Sequence, residues 1–255
     1  MENKIAAIIL AAGKGTRMKS KDKNKVTLPF LNKPLIIYAV ELMLQVASPV
    51  VVVIGAFHKS VKQILNKYPV IYAYQKKRLG TGHAVKIGFQ ALTTIDHAPS
   101  LVLIGYGDHS MFYDKQSINN LIEIHKKNKS SISLITTDYP CPEKLRWGFI
   151  IRDKQKKITN IIEFRDANQK QRQIKEINAG FYCFDYSFLI KNINKIKRSS
   201  ISGEYYINSF INIAVETGKK VVALKVPFNK VGIGINTQKE LKESEKIYLI
   251  GNNEH

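Results

Sequence analysis

The 255-residue sequence predicts an α/β protein: a mostly parallel sheet with helices on both faces, followed by a more β-rich second half. Three observations carry this expectation. Short unbroken apolar runs, such as residues 5–10 and 50–54, have no polar face, so they read as strands covered on both sides. Segments with apolar residues at helical spacing separate them. The chain is 44% hydrophobic and 24% charged, an ordinary globular composition, and long enough for a core without staples.

The elements follow in order. Residues 5–10 are the first strand. Residues 34–45 read as a helix, with Leu35, Ala39, Leu42 and Met43 on one face and Pro34 near the start, where proline is tolerated. Strand 50–54, helix 58–68, strand 70–74, helix 81–92, strand 101–106, helix 119–127 and strand 131–136 come next. This alternation is Rossmann-like. Ligands bind such sheets at the carboxyl ends of the strands, so the loops after Leu10, Tyr74 and Tyr106 are the places to look. Beyond about Tyr139 the pattern changes. Residues 149–152 and 158–163 flank a polar turn and read as a hairpin. A strand at 177–184, helices at 186–196 and 205–216, a strand at 221–226 and a helix at 237–249 close the chain. There is no internal repeat and no long linker, so one compact unit is expected.

Charge is the unusual number. Forty Lys and Arg against twenty Asp and Glu give +20. Such a surplus attracts polyanions (nucleic acid, acidic membranes, nucleotides) without choosing among them. The basic residues are scattered over 19–25, 76–78, 126–129 and 191–198, and most read as solvated surface. No apolar run approaches the ~20 residues of a membrane span. Cys141 and Cys183 lack metal-ligand spacing and read as reduced thiols. Residues 5–12 mimic a signal-peptide core, but residues 1–4 carry one acid and one base and a glycine turn follows, so a cytoplasmic location is expected.

That turn carries the chemistry. Strand 5–10 runs into Ala11, Ala12, Gly13, Lys14, Gly15, Thr16 and Arg17. Small residues and glycines let backbone N–H groups approach an anion, and Arg17 can hold phosphate bidentately. Met18 stands where the dinucleotide fingerprint needs a third glycine, and no P-loop consensus occurs. Other residues stay open on spacing alone. Lys25 is equally a phosphate ligand or one lysine of a basic loop. Asp108, just after strand 101–106, suits a divalent cation or a turn. Asn236 reads first as the cap of the last helix. Glu163 is equally a surface carboxylate, and Gln75 a polar strand end. His83 and His109 have no ligand set around them, so packing or hydrogen bonding is expected. No Ser-His-Asp or Cys-His arrangement is visible.

The run Leu10–Met18, with Lys25-Val26 and 32–35, resembles the sugar-nucleotide pyrophosphorylases, a nucleotidyltransferase family. Within them it is most similar to the uridylyltransferase domain of the bifunctional N-acetylglucosamine-1-phosphate uridylyltransferase/glucosamine-1-phosphate acetyltransferases. The resemblance continues through Gln75 with 79–84, Tyr106-Gly107-Asp108, Glu163 with 171–180, 203–207 and 234–236. It implies the nucleotide-diphospho-sugar transferase fold, with a nucleotidyltransferase domain over 1–235, a nucleotide-binding half at 1–139, a sugar-binding half at 140–235 and a C-terminal helix and tail at 236–255. It implies in-line attack of N-acetylglucosamine 1-phosphate on the α-phosphate of UTP, giving UDP-N-acetylglucosamine and pyrophosphate.

The roles are likewise those the resemblance implies. Arg17 and Lys25 are catalytic. Leu10, Ala11, Ala12, Gly13, Gly15 and Thr16 cradle the nucleotide, and Gln75, Gly80 and Thr81 read the base. Tyr106, Gly148, Glu163 and Asn178 bind the sugar, and Asp108 and Asn236 hold Mg²⁺. The expected partners are these small-molecule substrates, with no specific nucleic acid and no membrane. Another sugar 1-phosphate or nucleoside triphosphate is the alternative. A non-catalytic nucleotide- or nucleic-acid-binding protein on the same fold is the second. The sequence departs from the family in two places. His109-Ser110-Met111 stand where an apolar residue and proline are usual, and Trp147 stands before Gly148 where tyrosine is usual. No hexapeptide period is present, so neither the acetyltransferase β-helix nor the trimer it holds is expected, leaving a monomer or weak oligomer.

Overall fold

The structure is a computed structural model and describes residues 4–13, 15 and 24–252. Its first strand, β1 (Ile5–Ala11), shows why the sheet is covered twice. Side chains alternate along a strand. Ala6, Ile8 and Leu10 enter one apolar cluster, and Ala7, Ile9 and Ala11 enter another. Neither set is polar, so both faces need helices.

After β1 come two short strands, β2 (Pro29–Phe30) and β3 (Lys33–Pro34), then α1 (Leu35–Leu44), β4 (Val50–Ile54), α2 (His58–Ile64), β5 (Ile71–Tyr74), α3 (Thr81–Leu92), β6 (Leu101–Tyr106), α4 (Lys115–Asn128) and β7 (Ile132–Asp138). The second half contributes β8 (Phe149–Arg152), β9 (Ile158–Ile162), β10 (Glu176–Asp185), α5 (Tyr186–Asn192), α6 (Ser209–Glu216), β11 (Val221–Lys225) and α7 (Gln238–Asn252). The main sheet has the order β11-β7-β10-β6-β1-β4-β5. β1 runs parallel to β4 and β6, β4 to β5, and β7 to β11. β10 alone reverses direction, pairing antiparallel with β6 and β7, and β8 and β9 extend from it. The fold is therefore the mixed, mostly parallel α/β arrangement that the sequence predicts. Residues 176–185 are almost wholly buried, which suits a central strand.

Some boundaries differ, for local reasons. α4 starts at Lys115 rather than 119 because the Asp114 carboxylate accepts the Ser117 N–H at 2.7 Å and caps it there. α6 starts at Ser209 rather than 205 because the Tyr205 backbone is engaged elsewhere: its N–H donates to the Leu79 carbonyl and its carbonyl accepts the Gly82 N–H, each at 2.7 Å. α2 and α5 stop at Ile64 and Asn192, short of the expected 68 and 196. Cys141 and Cys183 are both free. Among the described residues no helix is long and apolar enough to cross a membrane.

Candidate active site

A cleft of about 340 Å³ opens where β1, β5 and β6 end, at the loops the strand pattern indicates. Leu10, Ala11, Ala12, Gly13 and Gly15 line it. Lys14, Thr16 and Arg17 lie outside the described residues.

Asn24 steers the chain back into this cleft. It is fully buried, its Nδ2 donates to the carbonyls of Ala11 (3.1 Å) and Ala56 (2.8 Å), and its Oδ1 accepts the Val26 N–H (3.1 Å). Every polar atom of the carboxamide is therefore committed to fixing the backbone beside Lys25. Gly15 has φ +64°, and a Cβ there would stand 2.6 Å from the Lys25 Cβ, so only glycine lets the turn pass this lysine.

The Lys25 ammonium pairs with the Asp108 carboxylate and donates to Asn236 Oδ1 at 3.0 Å. These residues come from three distant segments, and both acid and lysine are largely buried. Asn236 stands just before α7. Thr237 Oγ1 accepts the Glu240 N–H (3.1 Å) as the cap, and the Glu240 carboxylate accepts the Asn236 N–H (2.8 Å) of the residue before it. Capping thus falls to Thr237, not to the Asn236 side chain.

Just after β5, Gln75 is 4% exposed, and its Nε2 donates to the Gly80 carbonyl (3.2 Å) and to His83 Nδ1 (2.8 Å). Burial, helped by Lys86 and Arg198, lowers the His83 pKa, which suits a neutral ring accepting at Nδ1. Gly80 has φ +106°, and a Cβ there would meet the Tyr205 carbonyl at 2.4 Å. The Thr81 hydroxyl accepts the Ile207 N–H at 3.0 Å. Segment 79–82 is thereby fastened to segment 205–207. His83 takes the hydrogen-bonding role expected of it.

The residues expected to bind the sugar are arranged differently. Tyr106 lines the cleft, beside Thr81, with its pKa raised chiefly by burial. Gly148, Glu163 and Asn178 are not part of that wall. They connect to it through a buried chain. Asn178 Nδ2 donates to the Tyr182 hydroxyl (2.6 Å) and to Asn208 Oδ1 (3.1 Å), and Asn208 Nδ2 donates to Glu163 Oε1 (2.7 Å). The Gly148 carbonyl accepts the Asn178 N–H at 2.8 Å. Glu163 and Asn208 face a second cavity of about 440 Å³. Burial first, then Asp166 and Glu204, push the Glu163 carboxyl up to about 7, against the pull of Asn208 and Arg165.

The two departures from the family pattern touch each other. The His109 and Trp147 rings lie 4.6 Å apart between centroids. Burial pushes the His109 imidazole down to about 4, so it is neutral at pH 7 and acts by contact. Sequence reasoning missed Asn24, Arg78 and Glu204 in the cleft wall, and Tyr182 and Asn208 in the chain behind it. Asn24 adjoins Lys25 and Asn208 adjoins segment 203–207, so adjacency was the available signal. The Tyr182 hydroxyl is concealed within an apolar run.

The site is therefore a parallel-sheet cleft with a glycine turn, a largely buried lysine and a carboxylate–carboxamide pair. The nucleotidyl transferase family model matches residues 6–230, and the chain belongs to that family. It is 35% identical over 242 residues to the bifunctional protein GlmU of Clostridium kluyveri, covering 94% of this chain and 51% of that protein. It is 36% identical over 258 aligned residues to the GlmU of Caldicellulosiruptor saccharolyticus, covering 100% of this chain and 54% of the relative. The chain thus spans about half the length of the curated relatives it matches. A crystal structure from Bacillus anthracis, designated a glucose-1-phosphate thymidylyltransferase and solved with sucrose, shares the fold. Its TM-score is 0.74 over 95% of this chain and 94% of that one, at 21% identity.

Proposed function

We propose that this transferase condenses UTP with N-acetylglucosamine 1-phosphate to give UDP-N-acetylglucosamine and pyrophosphate. The observation that carries the reading is the Lys25 ammonium held between Asp108 and Asn236, beside the glycine turn at the carboxyl end of β6. In this reaction a phosphate oxygen of the sugar attacks the α-phosphorus in line. The bond from that phosphorus to the bridging oxygen breaks, and pyrophosphate leaves. The nucleophile is ionised near neutral pH, so no proton must be removed. What the site must supply is positive charge and alignment. Lys25 supplies both, after leaving Asp108 for the reacting phosphates. Arg17 is assigned to the leaving pyrophosphate on the family resemblance alone.

Asp108 and Asn236 fit a hard divalent cation. Both donors are oxygens, and both already converge on one positive charge, the Lys25 ammonium. Among the described residues no group of three or more His, Cys, Asp or Glu could hold a metal, so phosphate and water oxygens would complete the shell. Mg²⁺ in that place would polarise the phosphoryl oxygens and offset their charge. Residues 1–139 then serve the nucleotide and 140–235 the sugar. A cytoplasmic location supplies the nucleoside triphosphate.

The Gln75 amide nitrogen is already held by Gly80 and His83, which leaves its carboxamide oxygen to accept the N3–H of uracil. Thymine carries the same N3–H. A thymidylyl or other sugar-nucleotide reaction is therefore the second reading. A pyrophosphate-release assay across nucleoside triphosphates and sugar 1-phosphates decides. Turnover should be fastest with UTP and N-acetylglucosamine 1-phosphate. Turnover only with another pair overturns the substrate assignment and keeps the class. No turnover with any pair, together with nucleic-acid binding that falls steeply with salt, would make the +20 charge the function.

A further inference from the structure

The buried chain behind Tyr106 has a hub that neither the sequence motifs nor the proposed roles include. Asn208 is 2% exposed and stands just before α6. Its Oδ1 accepts from Asn178 Nδ2 and from the Tyr182 hydroxyl, each at 3.1 Å. Its Nδ2 donates to Glu163 Oε1 at 2.7 Å. One carboxamide thus holds two of the side chains assigned to the sugar, Asn178 and Glu163, which lie in different segments of the chain. A hydrophobic residue of similar size would fill the space before α6 but would leave the Asn178 donor, the Tyr182 hydroxyl and the Glu163 oxygen competing for partners.

We propose that Asn208 is a positioning residue for the sugar phosphate: it fixes the orientation of Glu163 while orienting Asn178, without itself meeting the reacting phosphates. The inference rests on the proposed reaction, because it needs Glu163 and Asn178 to face the sugar.

The electrostatics around Glu163 give the proposal its sign. Asp166 and Glu204 oppose ionisation, and Arg165 favours it. Lys195, Lys197 and Arg198 line the same cavity. The hydroxyls of Tyr106, Tyr182 and Tyr206 all feel the Glu163 charge. Against burial and two acids, the Asn208 N–H is a specific donor to the carboxylate, and a donor to the charged form favours it. Losing that N–H moves the Glu163 titration to higher pH.

The test is Asn208→Asp, which keeps the shape and the acceptor for Asn178 and Tyr182 but removes the donor. Two carboxyls would then face each other and share a proton. The expected result is a rise of about tenfold or more in KM for the sugar 1-phosphate, with nucleotide KM unchanged within about twofold. The Glu163 carboxyl signal, followed by ¹³C NMR without any turnover, should titrate above its wild-type position. The nucleotide KM and the Tm, read in the same variant, guard against a fold weakened by the change, since a loosened fold would raise both KM values. An unmoved Glu163 titration, or sugar and nucleotide KM rising together, overturns the proposal. A wild-type protein inactive toward every sugar phosphate would instead overturn the reaction on which it rests.

Discussion

The two sides of the site are built from different materials. The wall that the proposed reaction assigns to the nucleotide is largely main chain: Leu10–Gly13 with Gly15, and the Gly80–Thr81 backbone strapped to Tyr205 and Ile207. The part it assigns to the sugar is a layer of side chains behind Tyr106, running from Tyr182 through Asn178 and Asn208 to Glu163. A phosphate or a planar base is recognised by fixed donors at close range, which glycine-rich backbone supplies. A hexose presents hydroxyls in several directions, each needing its own partner once stripped of water, and side chains from several segments supply those. Changes in the first wall should therefore cost the transfer step itself, and changes in the second should cost substrate discrimination.

The largest effect is expected at the junction of the two walls. Asp108→Ala should lower turnover about 10³-fold, and chelation of divalent cations should do the same to the wild type. Circular dichroism should show a folded protein, since Asp108 is not part of an apolar cluster. Near wild-type turnover in this variant would remove Asp108 from the centre. Lys25→Ala should lower kcat by about 10²–10³-fold with nucleotide KM changed only a few-fold. The opposite split, in KM alone, would make Lys25 a ground-state contact and blur the contrast between the walls.

Smaller effects probe each wall separately. Gly80→Ala places a methyl against the Tyr205 carbonyl and imposes φ +106° on an L-residue. A loss of roughly 1–3 kcal/mol is expected, read as a lower Tm together with a higher nucleotide KM. Glu163→Gln tests the other wall through pH. In the folded protein this carboxyl is pushed from 4.5 up to about 7, chiefly by burial. The unfolded chain gives up the proton first, so wild-type stability falls as pH rises from about 4.5 to about 7 and then levels. The glutamine variant carries no such penalty. It should be more stable than wild type at pH 8, by roughly 1–3 kcal/mol, and the difference should vanish below pH 4.5. Parallel Tm profiles across that range would place the Glu163 carboxyl in water rather than in the buried layer.

The same contrast explains what the sequence made legible. Strands 50–54 and 101–106 and helix 81–92 are read to the residue, because unbroken apolar runs and helical spacing are local signals. The glycine turn is legible because its function resides in contiguous residues. The reversal of β10 is not, since an apolar run looks the same in either direction. The start of α6 is missed because a tertiary hydrogen bond from Tyr205 overrides local helix preference. Asn24 and Asn208 escape for one reason: a buried asparagine that organises backbone or side chains has the composition of an ordinary loop residue until its partners are known. Lys25, Asp108 and Asn236, uncertain one by one, gain force only from meeting at a single point.

The central claim is that fixed cations align two phosphoryl groups for direct exchange, with no nucleophile from the protein. The stereochemical course at the α-phosphorus tests it most directly. With a single diastereomer of the α-thio analogue of UTP and N-acetylglucosamine 1-phosphate, one in-line displacement inverts the configuration of the sugar-nucleotide product. Retained configuration would require two displacements and a covalent nucleotidyl-protein, and would contradict the account.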